Sequence, residues 1–150
     1  GDRDNIKFRV NLGVFEPRFW AVSHIGQQPD YPTEPVCLIR KTINDLRGRK
    51  DLWYEVNDIT DEQKLIKEMQ EDIQNYILPF FDQLDSVQKI LSALEKDSTL
   101  LGISFDLLIL YGEYELREKA QAVYHQLLQK VNPLAEQNLK SYAKKYGLNI

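Results

Sequence analysis

The sequence predicts an α+β fold: an antiparallel sheet of about three strands, at residues 6–15, 36–43 and 52–56, followed by four to five helices packed on one of its faces. Ile6, Phe8, Val10, Leu12 and Val14 alternate with Lys7, Arg9 and Asn11, the pattern of a strand with one covered side. From residue 60 the apolar period changes from two to about 3.6 and stays there. Helix-starting and helix-stopping residues punctuate the second half at the matching positions.

The elements follow in order. Glu16-Pro17 breaks the first strand, and Pro17 opens a short helical turn through Phe19, Trp20 and Val22. Pro29, Pro32 and Pro35 make residues 26–35 a loop. Strand character returns at 36–43, where Cys37, Ile39 and Ile43 alternate with Leu38, Arg40 and Thr42. Arg47-Gly48-Arg49-Lys50 reads as a turn, and Leu52 to Val56 as a third strand antiparallel to the second. Thr60 to Gln63 has the form of a capping box. Leu65, Met69, Ile73, Tyr76, Ile77 and Phe80 then trace one helical face, which Pro79 kinks or ends near Phe81. Ser86 caps a short helix carrying Val87, Ile90, Leu91 and Leu94, and Ser98 or Thr99 opens an apolar helix ending at Tyr111-Gly112. Gly112 is read as the reversal into a helix over 113–131, with Leu116, Ala120, Val123, Tyr124, Leu127 and Val131 inward. Asn132-Pro133 begins the last helix, with Ala135, Leu139, Tyr142, Ala143 and Tyr146 inward and Gly147 as its stop.

The 150 residues suit one domain, 1–150, whose helical part covers 60–147. A composition of 43% hydrophobic and 28% charged residues is that of an ordinary globular chain. The net charge of -4 argues against a nucleic-acid partner. Cys37 is the single cysteine, so no internal disulfide forms and a cytoplasmic location fits. Leu100 to Tyr111, the most apolar stretch, is interrupted by Gly102, Ser104 and Asp106 and is far short of the roughly 20 residues of a membrane helix, so no membrane role is expected.

Three segments carry a family resemblance: IKFRVNLGVF, CLIRKTINDLRGRKDLWYEV and ILPFFDQL, with Val10 to Val14, Cys37 to Arg40, Asp51, Trp53 and Leu78 to Phe81 the specific parts. Together they resemble a bacterial domain-of-unknown-function family, number 4304, over about residues 1–110. The resemblance implies a fold, and an opening helix and hairpin ahead of the first strand. It implies no activity.

No catalytic constellation, metal-ligand spacing or phosphate loop stands out, and no cofactor is expected. The binding candidates are Arg40, Lys41, Arg47, Arg49 and Lys50 with Trp53 beside them, because arginine forks match carboxylate and phosphate and an indole offers a stacking face. The bland alternative is a solvated hairpin whose basic residues protect an edge strand and pair with Asp61 and Glu62. Changing Arg47, Arg49 and Lys50 to Ser together is expected to leave thermal stability nearly unchanged. His24 and His125 lack ligands at metal spacing, and Cys37 lacks an activating base. Glu68 and Asp72, one helical turn apart, read as a solvent-exposed face rather than an acid pair. The last helices are similar to a single tetratricopeptide hairpin, with no second copy in the chain. The leading expectation is a non-enzymatic binding module that presents the basic segment to an acidic protein surface or a small anionic ligand. A pocketed anion binder or enzyme using Arg40, Lys41 and Tyr54 is the second, and a structural domain of a larger chain the third.

Overall fold

A computed structural model describes residues 4–50, 53–97 and 101–150. In chain order the elements are β1 (Ile6–Phe8), β2 (Asn11–Val14), α1 (Pro17–Ser23), β3 (Ile39–Thr42), α2 (Ile43–Arg47), β4 (Tyr54–Val56), α3 (Glu62–Asp72), α4 (Leu78–Asp82), α5 (Val87–Lys96), α6 (Leu101–Glu113), α7 (Arg117–Leu128) and α8 (Pro133–Lys145). A 3₁₀ turn covers Glu34–Val36 and a π-helical turn joins α3 to α4 over Ile73–Ile77. Contacts gather in two compact units, Gly1–Phe15 with Pro29–Asp85, and Glu16–Gln28 with Ser86–Ile150. The α+β class is as the sequence predicts.

In the first unit, the single strand expected over 6–15 is two strands on two ladders. β1 pairs antiparallel with β4, placing Phe8 opposite Tyr54, and β2 pairs antiparallel with β3, placing Gly13 opposite Arg40. The alternation survives the break: Leu12 is buried, Phe8, Val10 and Val14 are partly buried, and Ile6 alone of that series lies open. Lys7 and Glu55, directly opposite, form an ion pair at 3.2 Å. Gly13 permits a close crossing, because a Cβ there would stand 2.6 Å from Cys37 Sγ.

Two expectations about the sheet are corrected. The third strand pairs with the first rather than the second, and the second strand ends at Thr42 rather than Ile43. Residues 43–47 wind into α2 because Thr42 and Asp45 form a reciprocal box: the Thr42 hydroxyl accepts from the Asp45 amide at 3.2 Å, and the Asp45 carboxylate accepts from the Thr42 amide at 2.8 Å. Gly48, at φ 67°, ends the turn, so no hairpin links β3 to β4.

The capping box expected at Thr60 is also displaced. Asp61 caps α3, accepting from the Lys64 amide at 3.1 Å, while the Thr60 hydroxyl accepts from the Asn57 amide at 2.8 Å in the preceding turn. Pro79 has no N–H and crowds the carbonyl one turn back, and the wider π turn just before it, with Leu78 N–H on Ile73 C=O, absorbs that mismatch. The helix ends at Asp82. Ile73 and Tyr76, expected inward, are exposed.

In the second unit α6 is the central helix, with α1, α5 and α7 against it and α8 against α7. Its core holds Leu107, Leu108, Leu110, Tyr124, Leu127 and Leu139. Ser86 caps α5 and Asn132 caps α8, each accepting from the amide three residues on. The start expected at Ser98 or Thr99 lies outside the described residues. Gly112 is not the reversal: α6 continues through it to Glu113, and the chain turns at Tyr114-Glu115, with Glu115 at φ 58°. Gly112 is small because the Tyr146 ring lies where its Cβ would be. Among the described residues no helix is long and apolar enough to cross a membrane.

Candidate functional site

The candidate site lies in the first unit, where Gly48 reverses the chain. Arg9, Thr42, Asn44, Asp45, Gly48, Arg49 and Lys50 line one open recess. Arg9 comes from the break between β1 and β2, and the others come from the end of β3, α2 and the turn after it. Arg9, Arg49 and Lys50 are exposed, and none of them has an ion-pair partner among the described residues. Trp53, 44% exposed, lies under Arg9, whose guanidinium carbon is 5.1 Å from the ring centroid. A ring face holds a guanidinium flat and leaves its N–H edge free.

One acid shares the recess. The Asp45 carboxyl is held below the usual carboxylate range, first by the Thr42 amide it accepts from, and further by the Thr42 hydroxyl and by Lys41 and Arg9. Its charge is spent on the helix start, and three cations against one acid leave the recess positive.

The buried floor is Asn44, 5% exposed. Its side-chain N–H donates to the Lys50 carbonyl at 3.2 Å, and its Oδ1 is buried with no hydrogen-bond partner among the described residues. Turning the amide over would set oxygen against the Lys50 carbonyl, so the unpartnered atom is the acceptor.

The basic residues singled out in the sequence divide into three groups. Arg49 and Lys50 reach the recess. Arg40 forms a forked pair with Glu34 at 2.6 and 3.2 Å, which raises the Arg40 pKa, and Lys41 is exposed on β3. Arg47 turns inward: its side chain is 14% exposed and bonds Asp72 Oδ2 at 2.8 Å, with Glu68 at 3.8 Å and the Tyr76 ring at 6.0 Å. Tyr54, a candidate anion ligand, is buried and donates its hydroxyl to the same Asp72 oxygen. Burial first, and then Asp72, push the Tyr54 phenol above its ordinary range.

The Glu68–Asp72 face expected in solvent is therefore a clamp tying α3 to α2 and β4, and Asp72 is among the most buried polar residues described. The expectation that Arg47 is a dispensable surface charge fails with it. Arg9 and Asn44 were missed. A charge on the polar side of an alternating strand carries no mark of being gathered with residues 40 positions on.

Elsewhere, His24 stacks on Trp20 with ring centroids 5.2 Å apart, and His125 is exposed beside Gln121. Burial raises the Cys37 thiol. Among the described residues no group of His, Cys, Asp and Glu has the arrangement of a metal site.

The small paired ladders, short helix and long π-interrupted helix define an α+β unit with a basic recess. The chain belongs to the family described as domain of unknown function (DUF4304), whose sequence model matches residues 1–83. That span ends close to Asp85, where the first compact unit ends, and it contains every residue of the recess. No curated protein and no solved structure matches the chain.

Proposed function

We propose that this DUF4304 chain is a non-enzymatic binding module whose first unit takes an acidic segment of a protein partner in the recess of Arg9, Arg49 and Lys50. The observation that carries the reading is the gathering of three exposed cations, free of ion pairs among the described residues, around one recess. Surface cations normally gain little from staying together, and a carboxylate-bearing partner relieves their repulsion. The recess is open, and its hydroxyl and carboxylate, on Thr42 and Asp45, each already accept from the other residue's backbone amide, which favours holding over chemistry.

The test is a calorimetric titration of the chain with an end-blocked glutamate-rich peptide, and of the Arg9→Ser, Arg49→Ser, Lys50→Ser triple variant alongside it. The reading expects the triple variant to lose at least about tenfold in affinity, and the parent's binding to weaken with added salt. Equal binding by both proteins would refute it.

A further inference from the structure

We propose that the recess reads the free C-terminal residue of its partner, with the terminal carboxylate on Arg9, Arg49 and Lys50 and that residue's own backbone N–H on Asn44 Oδ1. This rests on the binding reading above and goes beyond it in naming which acid is recognised. Two requirements meet in one place. The three cations need an acceptor, whereas the buried Asn44 Oδ1 needs a donor, since its amide nitrogen is already spent on the Lys50 carbonyl. An anion without a donor, such as sulfate or a side-chain carboxylate, answers only the first requirement, and hydrogen phosphate, with its single O–H, is the competitor to be tested. A peptide terminus carries an anion and an N–H on the same carbon and so answers both from one small unit, as suits a recess lined by seven residues.

Asn44 also explains how binding is coupled to the turn. Its backbone carbonyl accepts from the Arg49 amide at 3.0 Å, and its side chain holds the Lys50 carbonyl, so one residue fixes the backbone of both cations. A donor drawn to Oδ1 then arrives where the cations are already set. Oδ1 is covered, so binding has to uncover it, and that cost is offset by relieving a buried acceptor without a partner among the described residues.

The experiment titrates the full chain by two-dimensional NMR, following the Asn44 side-chain amide and the Trp53 indole, with four probes. These are acetyl-trialanine with a free carboxylate, its C-terminal amide, the free acid with its last nitrogen methylated, and hydrogen phosphate. The free acid is expected to bind at least about tenfold more tightly than the amide, the N-methyl peptide or phosphate, with both reporters shifting. Equal binding of the amide overturns the carboxylate assignment, and equal binding of the N-methyl peptide overturns the role of Asn44. Phosphate binding as tightly as the peptide overturns the proposal as a whole. An end-blocked glutamate peptide, run in parallel, separates the two levels: if it alone binds, the module reading stands and the terminus does not, and if no probe binds, both fall.

Discussion

Asp106 is a carboxylate half-buried in the apolar helix α6, directly before the buried run Leu107 to Tyr111. Desolvation lifts its pKa from an ordinary 3.8 to about 6. The folded value exceeds the unfolded one, so the unfolded chain gives up this proton more readily. Stability is intact below about pH 4, declines between about 4 and 6, and carries a constant cost above 6. At 1.36 kcal/mol per tenfold step the gap sets a ceiling of about 3 kcal/mol, and partial access of solvent to the carboxylate cuts that to about 1.5 kcal/mol. Asp106→Asn removes the charge at nearly constant volume. Denaturant unfolding in a Trp53→Phe background, where Trp20 alone reports, is expected to show the variant more stable by about 1.5 kcal/mol at pH 7.5 and indistinguishable at pH 4. A gain that persists undiminished at pH 4 would mean packing rather than charge was altered, and no gain at pH 7.5 would show that the carboxylate is solvated.

Other outcomes follow from the same reasoning. Arg47→Ala leaves Asp72 buried against the Tyr54 hydroxyl alone and is expected to cost about 3 kcal/mol by denaturant unfolding, whereas Arg49→Ser with Lys50→Ser stays within about 0.5 kcal/mol of the parent. Gly112→Ala drives a methyl into the Tyr146 ring and should cost about 2 kcal/mol, read as a lowered melting temperature. In the second unit, Tyr114, whose phenol burial and Glu16 push up to about 12, should show no ultraviolet titration below pH 11, and Glu16→Gln should bring that titration down.

What was legible in the sequence is what adjacent residues decide. Pro17, Ser86 and Asn132-Pro133 open helices where expected, because a cap and the amide it satisfies lie three residues apart and need nothing else. The inward faces of α5, α7 and α8 follow from period alone. Which strand pairs with which was not legible. A period of two tells which side chains are covered but not by what, so one alternating run from Ile6 to Val14 serves two ladders as well as one. Thr42-x-x-Asp45 did announce the helix that displaces the hairpin, and it was hidden by the strand-like residues before it. Asp72 could not be read, since the two groups that bury it, Arg47 and Tyr54, are 25 and 18 positions away.

The division of the basic segment turns on Gly48. Arg47 is the last residue of α2 and takes its direction from that helix, toward Asp72, while Arg49 and Lys50 follow a left-handed residue and line the recess. Although Arg47 lies only two positions before Arg49, the inward cation anchors the turn and the outward ones are left for a ligand. A Cβ at position 48 meets nothing within 4 Å, so Gly48→Ala is strained by its φ of 67° alone. The cost is about 1 kcal/mol if the turn holds. If the turn instead relaxes to a right-handed conformation, Arg49 and Lys50 leave the Asn44 carbonyl and side chain that fix them, and peptide affinity falls while the Arg47–Asp72 pair persists. A Gly48→Ala protein that keeps full affinity would show that the recess does not depend on the turn that builds it.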